Sequence, residues 1–233
     1  MRSPPSAEDV LRVWERGETE HPIDRALSLL GLVTDMPRDA LARLNIGRRD
    51  AMLFAARATV FGDSLQGFAR CEHCAALVEV SLAPPPFDTG SPAVSVEEGW
   101  RPLASHGRSG EYRLPTSHDL AAIAGCDSVE QARRDLAERC VRGADAQAEA
   151  VAIGQISAQM EASSLDLDLT CPDCGHAWRL DFDIGAYFWG ELKSRALRLL
   201  REVAALAGRF GWHEHDILKL SDRRRAFYLE LAS

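Results

Sequence analysis

The residues best suited to chemistry are four cysteines in two Cys-x-x-Cys pairs, Cys71-Glu72-His73-Cys74 and Cys171-Pro172-Asp173-Cys174-Gly175-His176. The two-residue spacer lets both sulfurs of a pair bite one metal ion while backbone amides of the turn point at them, so two pairs make one tetrahedral four-thiolate site. Zinc suits that donor set. Four thiolates leave no position for a water, so the expected ion is structural rather than catalytic. A thioredoxin-like redox pair would open a helix after a strand in an alternating β/α unit, and neither pair has that setting. Two disulfides would need an oxidising compartment, yet no signal peptide or secretory apolar run stands near Met1. An iron–sulfur cluster is the remaining alternative. His73 and His176 are expected beside the site rather than in it, because the thiolates already fill it.

Both pairs lie between segments with the period-two alternation of strands. Leu65 to Arg70 precedes the first pair and Leu77 to Leu82 follows it, with Leu77 and Glu79 on one face and Val78, Val80 and Leu82 on the other. Leu165 to Leu169 precedes the second, and Trp178, Leu180 and Phe182 alternate with Arg179, Asp181 and Asp183 after it. The expected arrangement is one small antiparallel sheet, a zinc ribbon whose halves are residues 63–82 and 164–183. Residues 75–170 separate the pairs, where an uninterrupted ribbon would have roughly 15 to 20. The ribbon is therefore split by a long insertion.

The fold class expected is α+β and mostly helical. Residues 1–62 form an N-terminal helical subdomain: Ser6 caps a first helix that Gly17 stops, Pro22 opens a second, Pro37 a third, and a fourth runs from Ala51 to Phe61 before Gly62. Arg48 and Arg49 read as solvated charges at a helix start, with a contact patch as the alternative. Residues 83–163 are the insertion: a proline-rich loop from Ala83 to Ser91, a short strand at Tyr112 to Pro115, a helix capped by Thr116 with Asp119, another capped by Ser128 running through Val141, and a third from Ala146 to Ala162. Cys126 and Cys140 are expected to be small buried hydrophobes.

Residues 184–233 hold the longest helix, Ile184 to Phe210, with an apolar face through Leu192, Ala196, Leu199, Val203 and Leu206 and a basic side at Lys193, Arg195, Arg198 and Arg201. Gly211 stops it. A short helix follows Trp212, and Ser221 caps the last. Arg223, Arg224 and Arg225 fall in that helix's first turn, where the macrodipole already places partial positive charge. Acidic groups on this chain or on a partner must offset them. Together with Trp212 and Tyr228, these arginines are the candidate partner-binding surface. The His213-Glu214-His215-Asp216 run is the one cluster tempting as a metal or acid–base site, but neighbouring helical residues do not face one point, which counts against it.

The chain of 233 residues is 46% hydrophobic, enough for an ordinary core, and no stretch reaches the length of a membrane span. A net charge of −8 argues against broad nucleic-acid binding, since phosphates reward surplus Lys and Arg. No phosphate-cradling glycine loop, paired carboxylates or Ser/His/Asp arrangement suggests an enzyme or a small-molecule substrate.

Several segments in order carry a resemblance: the proline-led N-terminal helix with Ile46-Gly47-Arg48-Arg49-Asp50, Leu114-Pro115-Thr116, Cys171 to His176 before Trp178, Phe188-Trp189-Gly190-Glu191-Leu192, and Gly211-Trp212 followed by Asp216 to Ser221 and Arg223-Arg224-Arg225 with Tyr228-Leu229. They resemble the baseplate protein family of extracellular contractile injection systems, itself similar to baseplate hub assembly proteins of contractile-tailed phages. The resemblance implies a non-enzymatic component or assembly factor made in the bacterial cytoplasm, which contacts baseplate, hub or spike proteins and is either incorporated in the particle or released after assembly. The rival from another class is a zinc-ribbon nucleic-acid binder using the basic helix face and Arg223 to Arg225, with Phe227 and Tyr228 for stacking.

Overall fold

The computed structural model describes residues 4–82, 99–103 and 109–232; the expected proline-rich loop lies outside them. Among the described residues, ten helices mix with seven short strands, and every strand pairing is antiparallel. The chain divides into two compact units, residues 1–35 with 185–233, and residues 36–184. The N-terminal helices are thus shared between the two, rather than forming a subdomain over 1–62.

In the first unit, α1 (Ala7–Gly17) starts at a complete capping box between Ser6 and Asp9, and α2 (Pro22–Leu30) starts at Pro22, with its N-cap on the His21 ring nitrogen. Gly17 does not stop α1 by turning left-handed. It is buried, and a Cβ there would overlap the Trp189 ring, so glycine is what lets that ring lie on the helix. Arg25 closes the junction, donating from Nε to the Gly17 carbonyl and placing its guanidinium 4.9 Å from the centre of the Trp189 ring.

The longest helix is α8 (Ile184–Phe210). Its Phe188, Leu192, Ala196, Leu199 and Leu206 are fully buried, as the apolar periodicity requires, and Gly211 ends it at φ +70°. The opposite basic side is largely spoken for within the unit: Lys193 pairs with Glu18, Arg195 with Asp222 and Arg198 with Glu202. After α9 (Glu214–Leu218), the last helix α10 (Asp222–Ala232) resolves the arginine cluster. Arg225 is only 1% exposed and donates to Glu202 at 2.9 Å, to Asp222 and to the Leu220 carbonyl. The expected acidic groups are therefore on this chain. Arg225 leaves the candidate partner surface, because its guanidinium is enclosed and paired, whereas Arg223 and Arg224 remain exposed.

The second unit begins with α3 (Arg38–Arg43) and α4 (Ile46–Phe61). The helix predicted from Ala51 starts five residues earlier, because Asn45 Oδ1 accepts the Arg48 amide and caps it. Arg49 is not a solvated charge; it pairs with Asp50 at 2.7 Å in a largely buried setting. Hairpin β1 (Leu65–Arg70) with β2 (Leu77–Leu82) forms one two-stranded sheet, and β6 (Asp166–Thr170) with β7 (Ala177–Asp181) another. They do not merge into the single sheet expected.

Between them, β3 (Arg101–Pro102), β4 (Glu111–Tyr112) and β5 (Val141–Arg142) form a third sheet. Helices α5 (Ser117–Ile123), α6 (Val129–Cys140) and α7 (Ala146–Ser163) accompany it. The helix expected to include Val141 stops at Cys140; the β-branched valine pairs with Tyr112 instead. Cys140 is buried with Leu103, Tyr112, Leu114, Ala148, Ala152 and Ile156 in a core belonging to the insertion itself. Cys126 is only half-buried, its thiol donating to Asp135 at 3.3 Å.

Asp119 is more than a helix cap. It is 1% exposed and accepts from both Nη atoms of Arg113, from Nε of Arg139 and from the Thr116 amide and hydroxyl. Burial alone would raise its pKa, but the bonds from Arg113 and Thr116 outweigh that and hold the carboxyl well below the usual range. A depressed folded pKa contributes stability above the unfolded value and loses it as pH falls toward the folded one. Thermal melting should thus weaken as pH drops below about 4, and Asp119→Asn should flatten that acid limb. Arg225→Ala should cost about 3 kcal/mol by removing the enclosed guanidinium that joins Glu202, Asp222 and the Leu220 carbonyl, against at most about 0.5 kcal/mol for Arg224→Ala, both read by urea denaturation.

Candidate metal centre

Each hairpin delivers its cysteines through the same tight turn. In the first, the Cys71 amide donates to the Ala76 carbonyl at 2.8 Å and the Ala75 amide to the Cys71 carbonyl at 2.9 Å. In the second, the Cys171 amide donates to His176 and the Gly175 amide to Cys171, both at 2.9 Å. The residue after the second cysteine is left-handed in both turns, Ala75 at φ +60° and Gly175 at φ +71°. Alanine in that region costs roughly 1 kcal/mol relative to glycine. Arg70 donates to the Ala75 carbonyl at 2.8 Å and holds the strained turn.

The helices set where the hairpins begin. Helix α4 leads into β1 and α7 into β6, and the start of α4 meets the end of α7 where Gly47 faces Ser163; a Cβ on Gly47 would lie 2.7 Å from the serine oxygen. Phe182, just past β7, stacks on Phe54 of α4 with ring centres 6.0 Å apart. Val78 lies buried with Cys71 and Cys171 beneath the turns, and Ala76 and Trp178 pack against them.

The result is that Cys71, Cys74, Cys171 and Cys174 converge, all four sulfurs within 4.8 Å of one another. Cys71 Sγ lies 3.7 Å from Cys174 Sγ, and Cys74 Sγ 3.6 Å from Cys171 Sγ. A disulfide is about 2.05 Å long, so these are free thiols. A tetrahedral ion with metal–sulfur bonds of about 2.3 Å would have sulfur–sulfur edges of about 3.8 Å. The cluster fits such an ion. It is the one group of potential metal ligands among the described residues.

The electrostatics point the same way. Backbone amides of Cys74 and His73 point at Cys71 and bring its thiol down to about 7, although burial opposes them. At Cys174 the His176 amide also lowers the pKa, but burial and the three neighbouring thiols push it up to about 12. Four thiolates cannot share this space without a cation, and a divalent ion removes the conflict. Cys71 and Cys171 are buried while Cys74 and Cys174 face outward, so the site has an open side through which an ion can enter. His73 and His176 stack at 5.6 Å beside the cluster, and His176 continues onto Trp178 at 6.2 Å. They flank the sulfurs, as expected. The ladder they form was not foreseen, since only the convergence of the two turns brings residues 73 and 176 together.

The remaining candidate residues lie in the other unit. Trp212 and Tyr228 meet edge to face at 4.9 Å, Phe210 stacks on Trp212, and Phe227 is 57% exposed beside Tyr228. His215 pairs with Glu8 at 3.1 Å and takes part in no metal cluster. No helix of the described residues is long and apolar enough to cross a membrane. The chain matches no family model, and comparison with curated proteins and with solved structures finds no match.

Metal analysis of freshly purified protein should find one ion per chain, lost on acidification because thiolate ligands must be deprotonated. Cys74→Ser should reduce occupancy and thermal stability together. Ala75→Gly should stabilise and Gly175→Ala destabilise, each by about 1 kcal/mol, measured on the metal-loaded protein by chemical denaturation.

Proposed function

We propose that the protein is a non-enzymatic baseplate component, or a baseplate and hub assembly factor, of a phage-tail-like contractile injection system, stapled by one structural zinc ion. The observation that carries the zinc is the convergence of four free thiols at tetrahedral spacing with no position left for water. The two hairpins are then the halves of a split ribbon, joined through the metal rather than through strand pairing. Zinc in comparable sites is worth roughly 10 to 16 kcal/mol at neutral pH, more than the roughly 5 to 15 kcal/mol of a whole domain. It therefore fixes both ends of the helical insertion.

The assembly role rests on the resemblance of segments along nearly the whole chain, of which Cys171 to His176 and the tail from Gly211 to Leu229 are the most specific. Its working surface is the exposed part of that tail: Arg223, Arg224 and Phe227, around the Trp212 and Tyr228 pair. Aromatic and arginine side chains at one place are the composition of protein-binding hot spots. The partners are other baseplate, hub or spike subunits, met in the bacterial cytoplasm. The nucleic-acid reading is weaker, because Lys193, Arg195, Arg198 and Arg225 are engaged with carboxylates of this chain and the net charge is −8.

A tagged chain expressed with its native genomic neighbours should co-purify with subunits of a contractile particle. The double variant Arg223→Glu, Arg224→Glu should lose that partner at least about tenfold with unchanged melting. Recovery of no particle subunit, or salt-sensitive retention on DNA at physiological ionic strength, would overturn the reading. So would a chelator that demonstrably strips the metal yet leaves melting and partner binding as they were.

A further inference from the structure

Helix α10 keeps one face in water. At 3.6 residues per turn, Phe227 lies on the side of the helix away from the buried Arg225, and Arg223, Arg224, Glu230 and Leu231 are exposed around it. Phe227 is 57% exposed and Leu231 58%. The Phe227 ring meets Tyr228 with centres 5.9 Å apart, and the cluster continues through Trp212 at 4.9 Å to Phe210, itself partly exposed. Contiguous apolar surface of this kind marks a contact with another molecule.

The charges indicate which molecule. The carboxylates near the first turn of α10 are spent, Asp222 on Arg195 and Arg225 and Glu202 on Arg198 and Arg225. Among the described residues neither Arg223 nor Arg224 forms an ion pair, and neither does Glu230. Two cations are thus left uncompensated in the first turn, where the helix dipole disfavours them, and one carboxylate stands near the far end. Arg223 and Glu230 are seven positions apart in the sequence. Seven residues are close to two full turns, so the two lie along the same edge of the exposed face with Phe227 between them. A face that is positive at one end, apolar in the middle and negative at the other complements a copy of itself laid antiparallel, whereas parallel packing would set like charges together.

We infer that α10 pairs with α10 of a second copy of this chain, antiparallel about a two-fold axis near Phe227, each Arg223 facing the second copy's Glu230 and each Phe227 packing beside its counterpart. The two-fold axis makes both ion pairs at once, and the opposed helix dipoles add to them. The covered face is about three helical turns and the rim of the aromatic cluster, less than the roughly 800 Å² per partner of a standard interface. The pair is therefore weak, with a dissociation constant of roughly 10 to 100 µM. Such pairing needs no particle subunit and holds whether or not the baseplate reading does.

Sedimentation equilibrium of the full, metal-loaded chain under reducing conditions, from about 1 to 500 µM, should show a monomer–dimer equilibrium. Phe227→Ser, at an exposed position, should leave the chain monomeric with its melting temperature unchanged. Arg223→Glu and Glu230→Arg, each alone, should weaken pairing at least about tenfold, because two like-charged contacts replace two ion pairs. An equimolar mixture of these two variants should pair again as a heterodimer, since every contact across the axis is then between opposite charges. Glu230→Arg should also keep a particle subunit that binds through Arg223 and Arg224, which separates failure of the pairing from failure of the baseplate reading. A monomer at all concentrations, a dimer indifferent to Phe227→Ser, or a mixture no tighter than its components would overturn the inference.

Discussion

Four sulfurs brought within 4.8 Å of one another impose the central constraint on the second unit. Thiolates at that spacing repel, and thiols there are poor hydrogen-bonding partners for each other, so the cluster gains little until a cation joins it. The protein prepares the meeting from both sides. Each turn spends its backbone amides on sulfurs and on the carbonyls that close the loop, and each accepts a left-handed residue to do so. Only one of the two turns uses glycine there. The first tolerates alanine, braced by Arg70.

Joining residues so far apart in the chain would be entropically expensive if the intervening segment were loose, although the cost rises only slowly with length. The segment is not loose where it is described. It has its own core around Cys140 and its own sheet, and Asp119 ties the strand before α5 to the end of α6 through Arg113 and Arg139. Folding of the insertion can therefore bring α7 to the start of α4, where Gly47 admits Ser163, before any metal binds. An ion held by the four thiols would then close on hairpins already near one another.

In the other unit, charge is settled locally. Lys193, Arg195 and Arg198 on the basic side of α8 and the buried Arg225 are paired with Glu18, Glu202 and Asp222, whereas Arg223, Arg224 and Phe227 stay exposed on α10. Burial of one arginine out of three is a consequence of helical spacing: Arg225 turns toward α8 while its two neighbours on α10 cannot.

Much of this was legible in the amino-acid order. The cysteine pairs, the strands flanking them, the capping boxes at Ser6 and Thr116, and the stops at Gly62 and Gly211 all depend on residues within about five positions of each other, so local geometry decides them. The two-unit division, the separation of the hairpins into two sheets, the pairing of Val141 with Tyr112 and the burial of Arg225 depend on residues tens of positions apart. Neither period nor propensity carries that information, because a side chain's partner across the fold is chosen by packing, and packing exists only once the chain has closed on itself.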